Sequence, residues 1–225
     1  MKLNLKLSVV MLTFLPLLSF SQERKRGEVE ISPTLGLGIS VLTNSEEEYI
    51  PEEYREFNHI TSLNGGIGLD VYLNNKLSIR SGMYYQRMGT KGINYEKPFN
   101  GNGYYVRQEF DYLTIPLHLN FHFGGNKNWN VYGGPSFGLT TRAKSNQIDI
   151  KYYMNEFQMG AGYGIGYKFA ITENIGIAIT NDNFLGLTYA PKNVVRGDGN
   201  GNRTNTQQKL KNMHSSINAQ LVIKL

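Results

Sequence analysis

The residues best equipped for chemistry lie near the middle of the chain, where His118 and His122 precede Ser136. A serine hydroxyl next to an imidazole can attack an ester carbonyl when a carboxylate orients the ring, so these side chains suit lipid-ester hydrolysis. Histidines inside an alternating strand more often only hydrogen-bond, and the expectation here is no catalytic residue. Gly160-Ala161-Gly162-Tyr163-Gly164 has the glycines of a phosphate-binding loop, but it sits inside an alternating run with no helix after it, which excludes that reading. Asp198-Gly199-Asn200-Gly201-Asn202 begins like a calcium loop. It then puts Arg203 where the turn glycine belongs and Lys209 where the bidentate glutamate belongs, so a solvated loop is expected. Arg196-Gly197-Asp198 is the tripeptide that integrins read, too short a match to carry weight. No cofactor or metal site is expected.

The elements that must position these residues are strands. Leu113, Ile115, Leu117, Leu119, Phe121 and Phe123 alternate with Thr114, Pro116, His118, Asn120 and His122. After the polar turn 124–128, Trp129, Val131, Pro135, Phe137 and Leu139 resume the same rhythm. Period-two alternation on both sides of a short turn predicts an antiparallel hairpin. Its arms are long enough for tilted strands crossing a bilayer.

The unit repeats along the chain. Strands are expected over 28–42, 60–73, 77–88, 113–123, 129–139, 154–169, 175–189 and 216–225. The connections alternate long (43–59, 89–106, 143–153, 190–208) and short (74–76, 124–128, 172–174). Short turns on one side and long loops on the other are the pattern of an outer-membrane barrel. The rival is a soluble eight-stranded barrel with its apolar face inward. Five or six large apolar side chains per strand exceed what such an interior holds, so the apolar face must look outward to lipid. Glycine, serine, threonine, asparagine and scattered charges are then left to fill the lumen. Aromatics gather near strand ends, with Phe121, Phe123, Trp129, Tyr167 and Phe169 below and Tyr85 and Tyr189 above, as two interfacial girdles require. The fold class expected is all-β, an eight-stranded antiparallel transmembrane β-barrel of the outer-membrane type.

The 225 residues include no cysteine, which excludes disulfides and thiolate metal sites, and carry a net charge of +5. Lys2 and Lys6, the apolar run 7–18 and Ser19-Phe20-Ser21 form a secretory signal, residues 1–21, cut before Gln22, with the barrel domain over 22–225. The mature chain, near +3 without those lysines, is too weakly basic to argue for nucleic acid. Expected partners are outer-membrane lipid and lipopolysaccharide, and other envelope proteins of a multi-subunit complex. The acidic first loop, with Glu46, Glu47, Glu48, Tyr49 and Tyr54, is the candidate docking loop, or a place where divalent cations bridge to lipopolysaccharide.

Charges in the lumen give the sharpest expectation. A three-residue turn at Asn74-Asn75-Lys76 pairs Leu73 with Leu77 and sets Val71 against Ile79 on the outside. Inside, Tyr72 then faces Ser78, Asp70 faces Arg80, Gly68 faces Gly82 and Gly66 faces Tyr84. Opposed residues carry Cβ atoms roughly 4.5–5.5 Å apart. Two charges in a narrow lumen are costly unless paired, so Asp70 and Arg80 are the candidate lumen ion pair.

A resemblance adds to this reading. Pro33-Thr34-Leu35-Gly36-Leu37-Gly38, Tyr112-Leu113-Thr114-Ile115-Pro116-Leu117 and Tyr132-Gly133-Gly134-Pro135-Ser136-Phe137-Gly138 resemble the PorT-type outer-membrane β-barrel proteins of Bacteroidota. The resemblance implies an eight-stranded barrel and, from the family's namesake, a place in the type IX secretion machinery. It supplies no catalytic residue. The chain ends on Leu225, not on the aromatic many outer-membrane barrels carry. The expected function is a non-enzymatic accessory or subunit of an envelope secretion or assembly machine. The alternatives are a lipid-modifying hydrolase and a stand-alone OmpX-like structural or adhesion barrel.

Overall fold

A computed structural model describes residues 24–44, 55–99, 102–192, 194–197, 203–206 and 210–225. The strands are β1 (Val29–Asn44), β2 (Arg55–Tyr72), β3 (Leu77–Phe99), β4 (Asn102–Pro116), β5 (His118–Phe123), β6 (Trp129–Ser145), β7 (Ile148–Asp149), β8 (Phe157–Ala170), β9 (Ile175–Gly186), β10 (Val194–Gly197), β11 (Arg203–Thr206) and β12 (Leu210–Lys224). β4 and β5 form one stave: Pro116 has no N–H to give the ladder, but the register to β6 continues from Pro116↔Ser136 to Leu119↔Gly133. Each stave pairs antiparallel with the next, and β12 pairs with β1, so eight staves close into a ring. Closure removes every edge within the ring, which is what lets strands cross a bilayer with their backbone groups satisfied.

The alternation resolves as the spacing requires. Leu35 (65% exposed), Leu63 (65%) and Ile217 (64%) point outward, while Gly36, Ser62, Asn64, Ser216 and Asn218 beside them are buried in the lumen. At the end with the short turns, Phe121, Phe123, Trp129, Tyr167 and Phe169 form a ladder of rings with successive centroids 6.2, 6.4, 4.8 and 4.6 Å apart. That ladder is the lower girdle.

The long connections correct the sequence reading. Of the stretch 89–106, expected as a loop, residues 89–99 belong to β3 and 102–106 to β4, which stay paired out to Phe99↔Asn102. Beyond the bilayer a ribbon has water outside it and no lipid to demand an apolar row, so pairing continues after the alternation signal has faded. The expected solvated loop 190–208 likewise holds the short ribbon β10–β11, with Val194 opposite Thr206. Residues 143–153 extend β6 to Ser145 and add β7 and a 3-10 turn, Lys151–Tyr153. Met154 precedes β8 rather than opening it, and β9 ends at Gly186 rather than Tyr189. The signal residues 1–21, Asp198 and Lys209 lie outside the described residues.

The lumen is also less uniformly small and polar than expected. Leu42, Met88, Phe110, Tyr112, Ala143, Met154, Phe184 and Ala190 form a buried apolar cluster inside the outer end of the ring. A bulge between Asp111 and Tyr112 in the β4–β6 ladder keeps charged side chains out of it: the pairing steps from Tyr112↔Thr140 to Asp111↔Arg142. One extra residue flips the faces, so Ala143 turns inward opposite Phe110 and Arg142 and Lys144 turn out.

Candidate functional site

The lumen is the site, and it is built in layers. At the periplasmic end Asp70 stands directly opposite Arg80, with Val71↔Ile79, Tyr72↔Ser78, Gly68↔Gly82 and Gly66↔Tyr84 around it. Arg80 Nη2 lies 3.0 Å from Asp70 Oδ2, and Nε donates to the same oxygen at 3.1 Å. Ser78 Oγ and Asn120 Nδ2 each donate to Asp70 Oδ1 at 3.0 Å. Since the Ser78 hydroxyl spends its one proton on Asp70, it can only accept from His122 Nε2, 3.0 Å away. That hydrogen bond assigns the His122 tautomer. Asn130 Nδ2 in turn donates to Asn120 Oδ1 at 3.0 Å.

A second ionic group closes the mouth below. Lys168 Nζ on β8 reaches across the lumen to Glu30 Oε1 on β1 at 2.5 Å. Tyr72 Oη donates to Glu30 Oε2 at 2.9 Å. Arg24 folds in under them, its Nη1 donating to Lys127 O at 2.7 Å and its guanidinium 5.2 Å from the centre of the Tyr72 ring. Carboxylates accepting several donors and cations held by carboxylate and ring are what makes charge tolerable in a narrow interior. Glu30 and Lys168 were not singled out from the sequence. Their signal was a charge at lumen parity, Glu30 between Val29 and Ile31 and Lys168 between Tyr167 and Phe169. Nothing in strand spacing says which charges meet across a ring.

The middle layer holds Asp182, which accepts from Tyr132 Oη, from Asn218 Nδ2 and, at 3.0 Å, from Thr180 Oγ1. Arg80 lies 4.5 Å over the Tyr132 ring, and His118 stacks on the same tyrosine with ring centroids 5.8 Å apart. The glycines of β8 make room for this layer. A Cβ on Gly162 would fall 2.4 Å from His118 Nε2, and one on Gly160 would fall 2.4 Å from the Phe184 ring. The glycine stripe is therefore packing space for rings. Above it, Asn64 Nδ2 meets His214 Nε2 at 3.0 Å, and Asn212 Nδ2 donates to Tyr112 Oη at 2.9 Å, directly beneath the apolar cluster.

The hydrolytic constellation is only partly assembled. His118 Nε2 and Ser136 Oγ are 2.9 Å apart, but His118 Nδ1, where an orienting carboxylate would sit, has no hydrogen-bond partner among the described residues. His122 bonds Ser78, not Ser136, and Asp70 reaches that histidine only through the Ser78 hydroxyl. Both histidines are buried in the lumen. The docking-loop residues Glu46, Glu47, Glu48, Tyr49 and Tyr54 lie outside the described residues.

Comparison with solved structures returns the same architecture. The outer membrane protein OprG from Pseudomonas aeruginosa is 12% identical, with a TM-score of 0.52 over 92% of this chain and 99% of that one. Ail, the attachment invasion locus protein of Yersinia pestis, is 13% identical, with a TM-score of 0.40 over 88% of this chain and 99% of its own. At such identities the likeness to OprG shows the fold alone. No curated protein matches the chain. A family model described as an outer membrane protein beta-barrel domain matches residues 20–189. With that match spanning most of the closed ring, the chain belongs to the outer membrane protein beta-barrel domain family, and its place is the outer membrane.

Proposed function

We propose that this barrel is a non-enzymatic accessory or subunit of an envelope machine, of the type IX secretion kind that its PorT-like motifs suggest, and that it acts through its outer surface. The observation carrying this reading is the projecting ribbon of β3 and β4. The outward row of β3 changes from Met83 and Tyr85 to Arg87 and Lys91, yet the strand runs on to Phe99. Residues 87 to 99 are thirteen residues, roughly 40 Å of strand at about 3.3 Å each. β2 pairs with this projection from Arg55↔Asn94 to His59↔Thr90. A sheet held clear of the membrane offers a partner backbone and side chains together. The lumen supports the same reading, being filled by side chains at both ends.

The test is co-purification from native membranes in mild detergent. The intact protein brings down a stoichiometric envelope partner, and replacing Glu46, Glu47 and Glu48 with serine weakens that recovery while the barrel still inserts. Recovery of every partner at unchanged yield overturns the docking role of the loop, and recovery of the barrel alone overturns the subunit reading. A second reading, lipid hydrolysis, is favoured by the 2.9 Å Ser136–His118 contact. Lipid turnover by the purified barrel that His118→Ala abolishes would establish it; the partnerless His118 Nδ1 weighs against it.

A further inference from the structure

One patch of the lipid-facing wall breaks the apolar pattern. The outward residues of β12, rising from the periplasmic end, are Ile223, Leu221, Ala219 and Ile217, then Ser215, then Met213 and Lys211. On β9 the outward isoleucines 175, 177 and 179 give way to Asn181 and Asn183 before Leu185. The register brings these interruptions together. Ile39 pairs with Ser215, Ser215 with Asn183 and Asn183 with Tyr163, so one row across four strands has two small polar residues between two large ones. The row above it is Val41, Met213 and Leu185. The result is a groove of about 210 Å³ with a polar floor and sides that are apolar apart from the exposed His59 of β2.

The floor has hydrogen-bonding capacity left over. Asn183 Nδ2 donates to Asn181 Oδ1 at 2.8 Å, and Asn181 Nδ2 donates to the Ser216 carbonyl at 3.3 Å. Among the described residues neither Asn183 Oδ1 nor Ser215 Oγ has a partner. In hydrocarbon no water is there to supply one, so such a pair is costly unless a membrane component completes it. Four residues above Ser215, roughly 10 Å up a tilted strand, Lys211 stands at the outer interface with its Nζ 5.3 Å from the Tyr189 ring centre.

We infer that this wall of β1, β12, β9 and β8 is a lipid site for lipopolysaccharide, the acylated phosphoglycolipid of the outer leaflet. A phosphate meets Lys211. A hydrocarbon chain lies between Ile39 and Tyr163 under Met213 and Leu185. An amide or hydroxyl on that chain donates to Asn183 Oδ1 and accepts from Ser215 Oγ. An ordinary phospholipid tail has no donor at that depth, and this separates the proposed occupant from the general annulus. The site is distinct from the projecting ribbon and does not depend on its role.

The experiment uses the full-length protein purified from outer membranes and examined by native mass spectrometry with added lipid A or phosphatidylethanolamine. One lipid A molecule is retained in preference to phosphatidylethanolamine. Asn183→Leu with Ser215→Leu lowers that retention about tenfold, the loss expected when hydrogen bonds in a dry wall disappear. Lys211→Gln lowers it about fivefold, as removal of one interfacial cation should. Both leucines suit a lipid-facing position, so heat-modifiable gel mobility confirms that the variant barrel is folded. Unchanged lipid A retention in the double variant overturns the proposal, as does equal retention of phosphatidylethanolamine. Loss of a dimer rather than of lipid would also overturn it, making the patch a contact between copies of the chain.

Discussion

The two ends of the lumen are sealed by opposite chemistry. At the periplasmic end Arg24, Glu30, Asp70, Arg80 and Lys168 are interlocked by ion pairs and hydrogen bonds. At the outer end Leu42, Met88, Phe110, Met154 and Phe184 pack without a charge among them. The outside of the wall is reversed to match. Around the ionic seal the wall is bare hydrocarbon and aromatic, as in Ile79, Leu119 and Phe121. Around the apolar seal it carries Arg87, Asp111 and Arg142, with Arg87 Nε 2.7 Å from Asp111 Oδ1. Within the bilayer the barrel is inside out, and from the level of the outer interface onward the same strands turn into an ordinary soluble sheet around an apolar core. The position of the interface, not the strand, decides which face is greasy.

The comparison can be broken by substitutions at each end. The largest effect belongs to the ionic seal. Asp70→Asn or Arg80→Gln alone strands a buried partner and lowers unfolding free energy by about 3–5 kcal/mol, read by urea denaturation in lipid vesicles. A double-mutant cycle on the pair shows coupling of about 1–3 kcal/mol; additive effects would mean the two charges are solvated separately. In the apolar seal, Met88→Ala removes packing alone and costs about 2–3 kcal/mol by the same assay. A cost near zero would mean that the outer cluster is already loose.

Replacing both ionic partners at once, Asp70→Leu with Arg80→Met, sharpens the contrast. It leaves no stranded charge, but the Ser78 hydroxyl and the Asn120 amide lose their acceptor, so it costs about 1–3 kcal/mol, less than either single change. A large loss in that variant would show the ionic seal to be a net source of stability. The smallest expected effect is on conductance. Met88→Ala with Phe110→Ala leaves planar-bilayer conductance unchanged, because the ionic layer still fills the other end. Conductance rises only when the Asp70 and Arg80 changes are added, and a rise in the outer variant alone would show that the ionic layer does not seal.

Much of this was legible in the chain itself. The turn at 74–76 together with side-chain parity determined that Asp70 opposes Arg80, because a short turn leaves only one register. The ladder Phe121, Phe123, Trp129, Tyr167 and Phe169 was readable because lipid demands an apolar row and an interface demands aromatics. The outer half was not legible. Residues 89–99 and 102–106 have no lipid beside them, so their pairing left no alternation to read, and the lumen parity of Phe110 and Tyr112 did not say that they would meet Leu42, Met88 and Phe184 in one apolar cluster. Three things were decided by the tertiary structure alone: the meeting of Glu30 with Lys168, the inward turn of Ala143, and the row that joins Ser215 to Asn183. Each depends on strands far apart in sequence, or on a one-residue bulge, and only ring closure fixes which side chains then share a face.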